Sequence, residues 1–105
     1  MKKYELIPEH VNQKSFYEKA VVTVYGDGSS ELKSYDTIVC GITASGEFKR
    51  YWCGFSATTA KHIHEYRLQN GLDGICKKEW LNLPVVERDF TETLVKMIDD
   101  YNKLA

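Results

Sequence analysis

Four side chains in the middle of the chain have the chemistry to hold a metal ion: Cys53, His62, His64 and Cys76. Thiolate and imidazole are the ligands zinc prefers, but structural zinc sites bring them in close pairs. Here each cysteine stands alone, Cys40 included. His62 and His64 are two residues apart, which on a helix turns them about 200° from one another. The spacing speaks against a shared ion, so no metal and no other cofactor is expected. Cys53, His62 and Glu65 are also the residue types of a thiol-based catalytic triad. A thiol at a strand end beside a helix start can ionise easily. Such triads are defined by geometry rather than by chain order, and any chain with these three types would match. No catalytic residue is assigned, and the protein is expected not to be an enzyme. A small zinc or thiol-dependent protein built on Cys53 and His62 stands as the third reading.

Phosphate binding fares no better. Gly26-Asp27-Gly28-Ser29 contains a G-x-G, but a phosphate loop needs a helix after it, and Asp27 would repel an anion. Asp-Gly between two β-rich runs is a hairpin turn. A different chemistry is offered by Phe48-Lys49-Arg50-Tyr51-Trp52, which interleaves aromatic rings and cations on one strand. Open sheets use such strands to stack single-stranded bases. Phe48 and Trp52 serve more simply as core, and the formal net charge of −1 lacks the basic excess of a nucleic-acid binder. Nucleic-acid binding is therefore the alternative reading. Protein binding fits better. Seven tyrosines in so small a domain cannot all be buried, and exposed tyrosine beside mixed charge is interface material. The candidate partner contacts are Tyr25, Tyr35, Asp36, Lys49, Arg50 and Tyr51.

The elements that must position these residues read as α+β. Residues 1–15 carry weak signals and suggest a loop with one short helical turn. Phe16 to Tyr25 is rich in β-branched residues and predicts a strand. A turn at Gly26 to Ser29 leads to a long strand, Ser30 to Ile42, which needs a bend or bulge near Asp36. Ala44 to Glu47 is a second turn, and Phe48 to Cys53 the third strand. The fold expected is thus a three-stranded antiparallel β-meander packed against two main helices plus a short helical segment. The first helix begins at Ser56, Thr58 or Thr59 and ends at Asn70 before Gly71, with Ala60, Ile63 and Tyr66 inward. The short segment is Lys77 to Leu81, with Trp80 inward. The last helix, Glu87 to Leu104, repeats apolar residues at spacings of three and four. The expected core is Val22, Val24, Ile38, Val39, Phe48, Trp52, Ile63, Trp80, Phe90, Leu94, Ile98 and Tyr101.

With 105 residues the chain is one domain, 1–105, large enough for a core without staples. Hydrophobic residues make up 43% and charged ones 28%, which excludes disorder for the body of the chain. No apolar run reaches membrane-spanning length, and no signal core follows Met1-Lys2-Lys3. Three cysteines do not make a disulfide framework. A cytoplasmic protein that does not touch membranes is expected.

Ser34-Tyr35, Thr37, Val39, Phe48-Lys49-Arg50, Trp52, Gly54, Ser56-Ala57-Thr58-Thr59, His62-Ile63 and Glu65-Tyr66 form a recognisable block. Lys77-Lys78-Glu79-Trp80 and Lys3-Tyr4-Glu5-Leu6 extend it. The block resembles a family of small phage and mobile-element proteins of low-GC Gram-positive bacteria that has no assigned chemistry. The likeness covers about the first 80 residues and omits the last helix. It implies a context in a bacterial host cell rather than a reaction. Small phage proteins of this size commonly bind and block host machinery, inhibition of a CRISPR effector nuclease being the prominent case. The function expected is an anti-CRISPR-type inhibitor that acts by steric occlusion of a host protein. A second copy of the chain, joined through a sheet edge, is a further expected partner.

Overall fold

Two left-handed glycines set the sheet. Gly28, at φ +91°, closes the hairpin between β2 (Ala20–Val24) and β3 (Ser30–Ser34). Gly46, at φ +93°, closes the one between β4 (Thr37–Ile42) and β5 (Phe48–Arg50). A fifth strand, β1 (Lys2–Glu5), pairs with β2 from the other side. The resulting sheet is antiparallel throughout, in the order β1-β2-β3-β4-β5. This computed structural model describes residues 1–88 together with Leu94 and Ile98.

The sheet therefore has five strands rather than three. Two expectations fail for identifiable reasons. Lys2–Glu5 is short and carries one aromatic among charges, so nothing in its composition separates it from a loop. The run from Ser30 to Ile42 is two strands, because Tyr35 and Asp36 form a two-residue reversal between the paired Ser34 and Thr37. Tyr35 takes φ 54° there. That left-handed position is one glycine or asparagine normally fills, so a tyrosine gives no turn signal. An irregularity does exist, but it lies between Leu32 and Lys33. The strand expected from Phe16 begins only at Ala20, since residues 16–19 form a turn closed by Lys19 N–H donating to Phe16 O at 2.9 Å.

One face of the sheet receives α1 (Ala57–Gln69) and α2 (Lys77–Asn82). Ser56 caps α1 by accepting the N–H of Thr59, and Gly71 at φ +77° follows its end. Ser30, Leu32 and Ser34 alternate onto the helix-facing side. Ser30 Oγ shares a 2.6 Å hydrogen bond with Tyr66 Oη, and Ser34 Oγ reaches Thr59 Oγ1 at 2.9 Å and His62 Nδ1 at 2.8 Å. Between these polar ties lie Leu6, Phe16, Ala20, Val22, Leu32, Val39, Cys40, Ile63, Tyr66 and Trp80, all buried. Val24, Phe48 and Trp52 pack around them half-buried, and Ile38 is half-buried too. Leu94 and Ile98 are helical but 58% and 57% exposed, so they do not join the core. Phe90, Tyr101 and the rest of the expected last helix lie outside the described residues.

The segment after β1 is held by one carboxylate. Glu65 is fully buried on α1, yet it accepts hydrogen bonds from the backbone N–H groups of Glu9, His10 and Val11 at 2.7, 2.6 and 3.0 Å. His10 Nδ1 at 2.7 Å and Gln69 Nε2 at 2.9 Å complete its shell. Burial pushes the Glu65 carboxyl up, but these bonds outweigh it and hold the group at about 2. Removing the carboxylate strands three N–H donors. Glu65→Ala should therefore lose about 3 kcal/mol or more in denaturant unfolding, a size typical of an uncompensated buried polar site. A loss below about 1 kcal/mol would contradict the clamp.

His62 is 1% exposed, and burial lowers it to about 4. In the unfolded chain it titrates near the usual 6.5, so the unfolded state binds the extra proton first. Stability should fall as pH drops from 6.5 toward 4, by on the order of 2 kcal/mol by about pH 5. His62→Gln, which can still bond Ser34, should flatten that part of a Tm-versus-pH curve. An unchanged slope in the variant would remove His62 as the cause.

Candidate partner-binding surface

The six residues expected to touch a partner fall in three separate places. Arg50 goes inward. It lies opposite Cys40 in the register and is 5% exposed. Its guanidinium donates to the carbonyls of Trp52 (2.8 Å), Cys53 (2.8 Å) and Leu83 (2.9 Å), and lies 4.8 Å from the centre of the Trp80 ring. None of these partners is a carboxylate. The cation is stabilised by carbonyl dipoles, two of which, Leu81 (3.5 Å) and Leu83, lie at the C-terminal end of α2, where the backbone is partly negative. A planar five-donor fork can do this and an ammonium cannot. Arg50 is thus a strut joining β5, the strand-to-helix turn and α2, and it is unavailable to either a protein partner or a stacked nucleic acid. Arg50→Lys should lower the unfolding free energy by about 3 kcal/mol, the scale for mispairing a buried charge. Urea titration measures it; a variant as stable as wild type would refute the strut.

Tyr25, Lys49 and Tyr51 fall on the opposite, outer side, where they line a hollow of about 470 Å³ with Glu31 and Arg88. Tyr25 is itself buried at 5%, with its hydroxyl donating to Glu31 Oε1 at 2.5 Å. Arg88 closes on the same carboxylate with Nε at 2.5 Å and Nη2 at 2.7 Å. Burial and the Glu31 carboxylate push the Tyr25 phenol up to about 12. The Tyr51 ring lies against Gly41, where an added Cβ would meet its Cε2 at 3.1 Å and the Ser30 carbonyl at 2.8 Å. Gly41 is therefore the residue that lets Tyr51 settle on the sheet. Lys49 pairs with Glu47 at 3.0 Å on the surface. Neither Glu31 nor Arg88 was singled out by sequence. A lone glutamate in a strand reads as solvated, and its partners are 6 and 57 residues away.

Tyr35 and Asp36 occupy a third place, the end of the sheet where the β3–β4 reversal meets the turn before β2. Tyr35 N–H donates to Lys19 O at 2.7 Å, which fixes the two turns side by side. Among the described residues the non-glycine positions with positive φ are Tyr17 (53°), Glu18 (64°) and Tyr35 (54°), all at this corner. Tyr17 is 71% exposed and Tyr35 49%. Glu18, Lys19, Lys33, Tyr35 and Asp36 line a shallow hollow of about 270 Å³ beside them. Tyr17 is not among the expected contacts, since its left-handed backbone angle has no sequence signal.

Cys53 and Cys76 are exposed, and Cys40 is buried with its thiol pushed well up by burial. His62 faces Ser34, while His64 packs against Gly74. Among the described residues no three His, Cys, Asp or Glu side chains converge, and no helix is long and apolar enough to cross a membrane.

Residues 4–82, about three quarters of the chain, match a family of unknown function (DUF8033), and the chain belongs to that family. No curated protein and no solved structure matches it.

Proposed function

We propose that this member of DUF8033 is a non-enzymatic protein that binds a host protein and blocks it by steric occlusion, using the corner of Tyr17, Tyr35 and Asp36. The observation that carries the reading is the pair of exposed tyrosines on left-handed backbone. Each such position costs a non-glycine residue on the order of 1 kcal/mol or more, and strain of this kind concentrates at functional sites. Packing accounts for only part of it: the centre of the Tyr35 ring lies 6.0 Å from that of the His62 ring, while Tyr17 points largely into solvent. Glycine would satisfy both turns. What tyrosine adds is a large, stiff, amphipathic contact surface, the material of interface hot spots. Glu18, Asp36, Lys19 and Lys33 around the pair provide the mixed-charge rim. The partner class suggested by the phage resemblance is a nuclease effector of the CRISPR type in the cytoplasm of a bacterial host.

The test separates stability from binding. Tyr35→Gly should change the unfolding free energy by less than about 1 kcal/mol, because relief of the left-handed strain offsets the lost contact with the His62 ring. The double variant Tyr17→Ser with Tyr35→Gly should lose at least about tenfold in affinity for the protein that wild type captures from host lysate. An equal yield of the same protein would move the surface elsewhere on the molecule. Absence of any specific protein with wild type would end the binding reading.

A further inference from the structure

The two edges of the sheet are not equivalent. On β5, Arg50 bridges in parallel to Val85, and its carbonyl accepts the N–H of Val86 at 2.9 Å, so that edge is already occupied. On β1, Leu6 donates its N–H inward to Ala20 O at 2.9 Å. Residues two apart in an antiparallel strand point their backbone groups the same way. Tyr4 and Lys2 therefore turn theirs toward β2, and Lys3 and Glu5 turn theirs outward. Lys2, Lys3 and Tyr4 are exposed and Glu5 is half-exposed.

We infer that β1 is a self-complementary edge that joins two copies of this chain into one continuous sheet. Only residues whose backbone groups face outward can form the hydrogen-bonded pairs of an antiparallel ladder. The register that uses both Lys3 and Glu5 sets Lys3 opposite the Glu5 of the second copy, and Glu5 opposite its Lys3. The two-fold axis then passes through Tyr4, which meets its own copy as a closely spaced, non-hydrogen-bonded pair. Edge lysines normally discourage strand addition. Here each lysine is answered by a glutamate directly across, which reverses the sign of that effect. Glu5 Oε1 accepts from Glu18 N–H at 3.1 Å, and its second oxygen remains for the lysine. Tyr4, 37% exposed, adds an aromatic pair at the centre. Registers centred on Lys3 or on Glu5 would instead oppose like charges.

Sedimentation equilibrium of the full chain without an N-terminal tag tests this. Wild type should follow a monomer–dimer equilibrium. Lys3→Glu and Glu5→Lys should each weaken the dimer about tenfold or more, because each sets like charges face to face twice. An equimolar mixture of the two variants should dimerise again, since the glutamates of one then face the lysines of the other. The inference is overturned by a wild type that stays monomeric at every concentration. Single variants that dimerise as tightly as wild type, or a mixture no tighter than its components, overturn it equally.

Discussion

The molecule depends on one buried carboxylate. Glu65 sits in the middle of α1 and gathers three consecutive backbone N–H groups from a segment more than fifty residues earlier. Without it, residues 7–15 would have few ties to the body, as they form no regular structure of their own. That segment separates β1 from Phe16 and so governs whether Leu6 and Phe16, both fully or nearly buried, can enter the core together. A charge at 0% exposure is tolerable only because its lone pairs are all used. The anion is thus stabilised by the loop as much as the loop is held by the anion.

This pattern of polar struts through an otherwise apolar interface recurs. Ser30 with Tyr66, Ser34 with Thr59 and His62, and Arg50 with its ring of carbonyls all cross between the sheet and the helical layer. Trp80 adds its indole N–H to Gly54 O at 2.8 Å. Each net contribution is modest, but each penalises the wrong helix register heavily, because a slipped helix would leave donors unpaired. Apolar contact alone would hold α1 on the sheet; these bonds determine where along the sheet it sits.

The same feature limits what could be read from sequence. Where local chemistry decides, the residues were legible: Gly28 and Gly46 mark their hairpins, Ser56 and Gly71 bracket α1, and Trp80 turns inward as expected. Where a long-range partner decides, they were not. Glu65 in Lys61-His62-Ile63-His64-Glu65 looks like an ordinary exposed helix glutamate, and Arg50 like an exposed strand cation. β1 is a strand because β2 offers it an edge, not because Lys2–Glu5 has β propensity. The Tyr35-Asp36 reversal was hidden because the residue that suits it locally is not the residue present. Of the expected contacts, Arg50 is drawn inward by carbonyls distant in sequence, while Tyr35 and Asp36 lie at the corner beside Tyr17, whose left-handed backbone has no local sequence signal.

The strand order has a kinetic side. β2 to β5 each pair with the neighbouring strand across a short turn, so that part of the sheet can close hairpin by hairpin with little loop entropy, whereas β1 must close the longer stretch from residue 6 to residue 19. Glu65 and its partners are 54 to 56 residues apart and cannot meet until α1 has docked. Topology thus favours a sheet assembled in sequence as the chain leaves the ribosome, with the amino-terminal segment fastened last. Until that latch closes, β1 remains the loosest strand of a nearly finished protein.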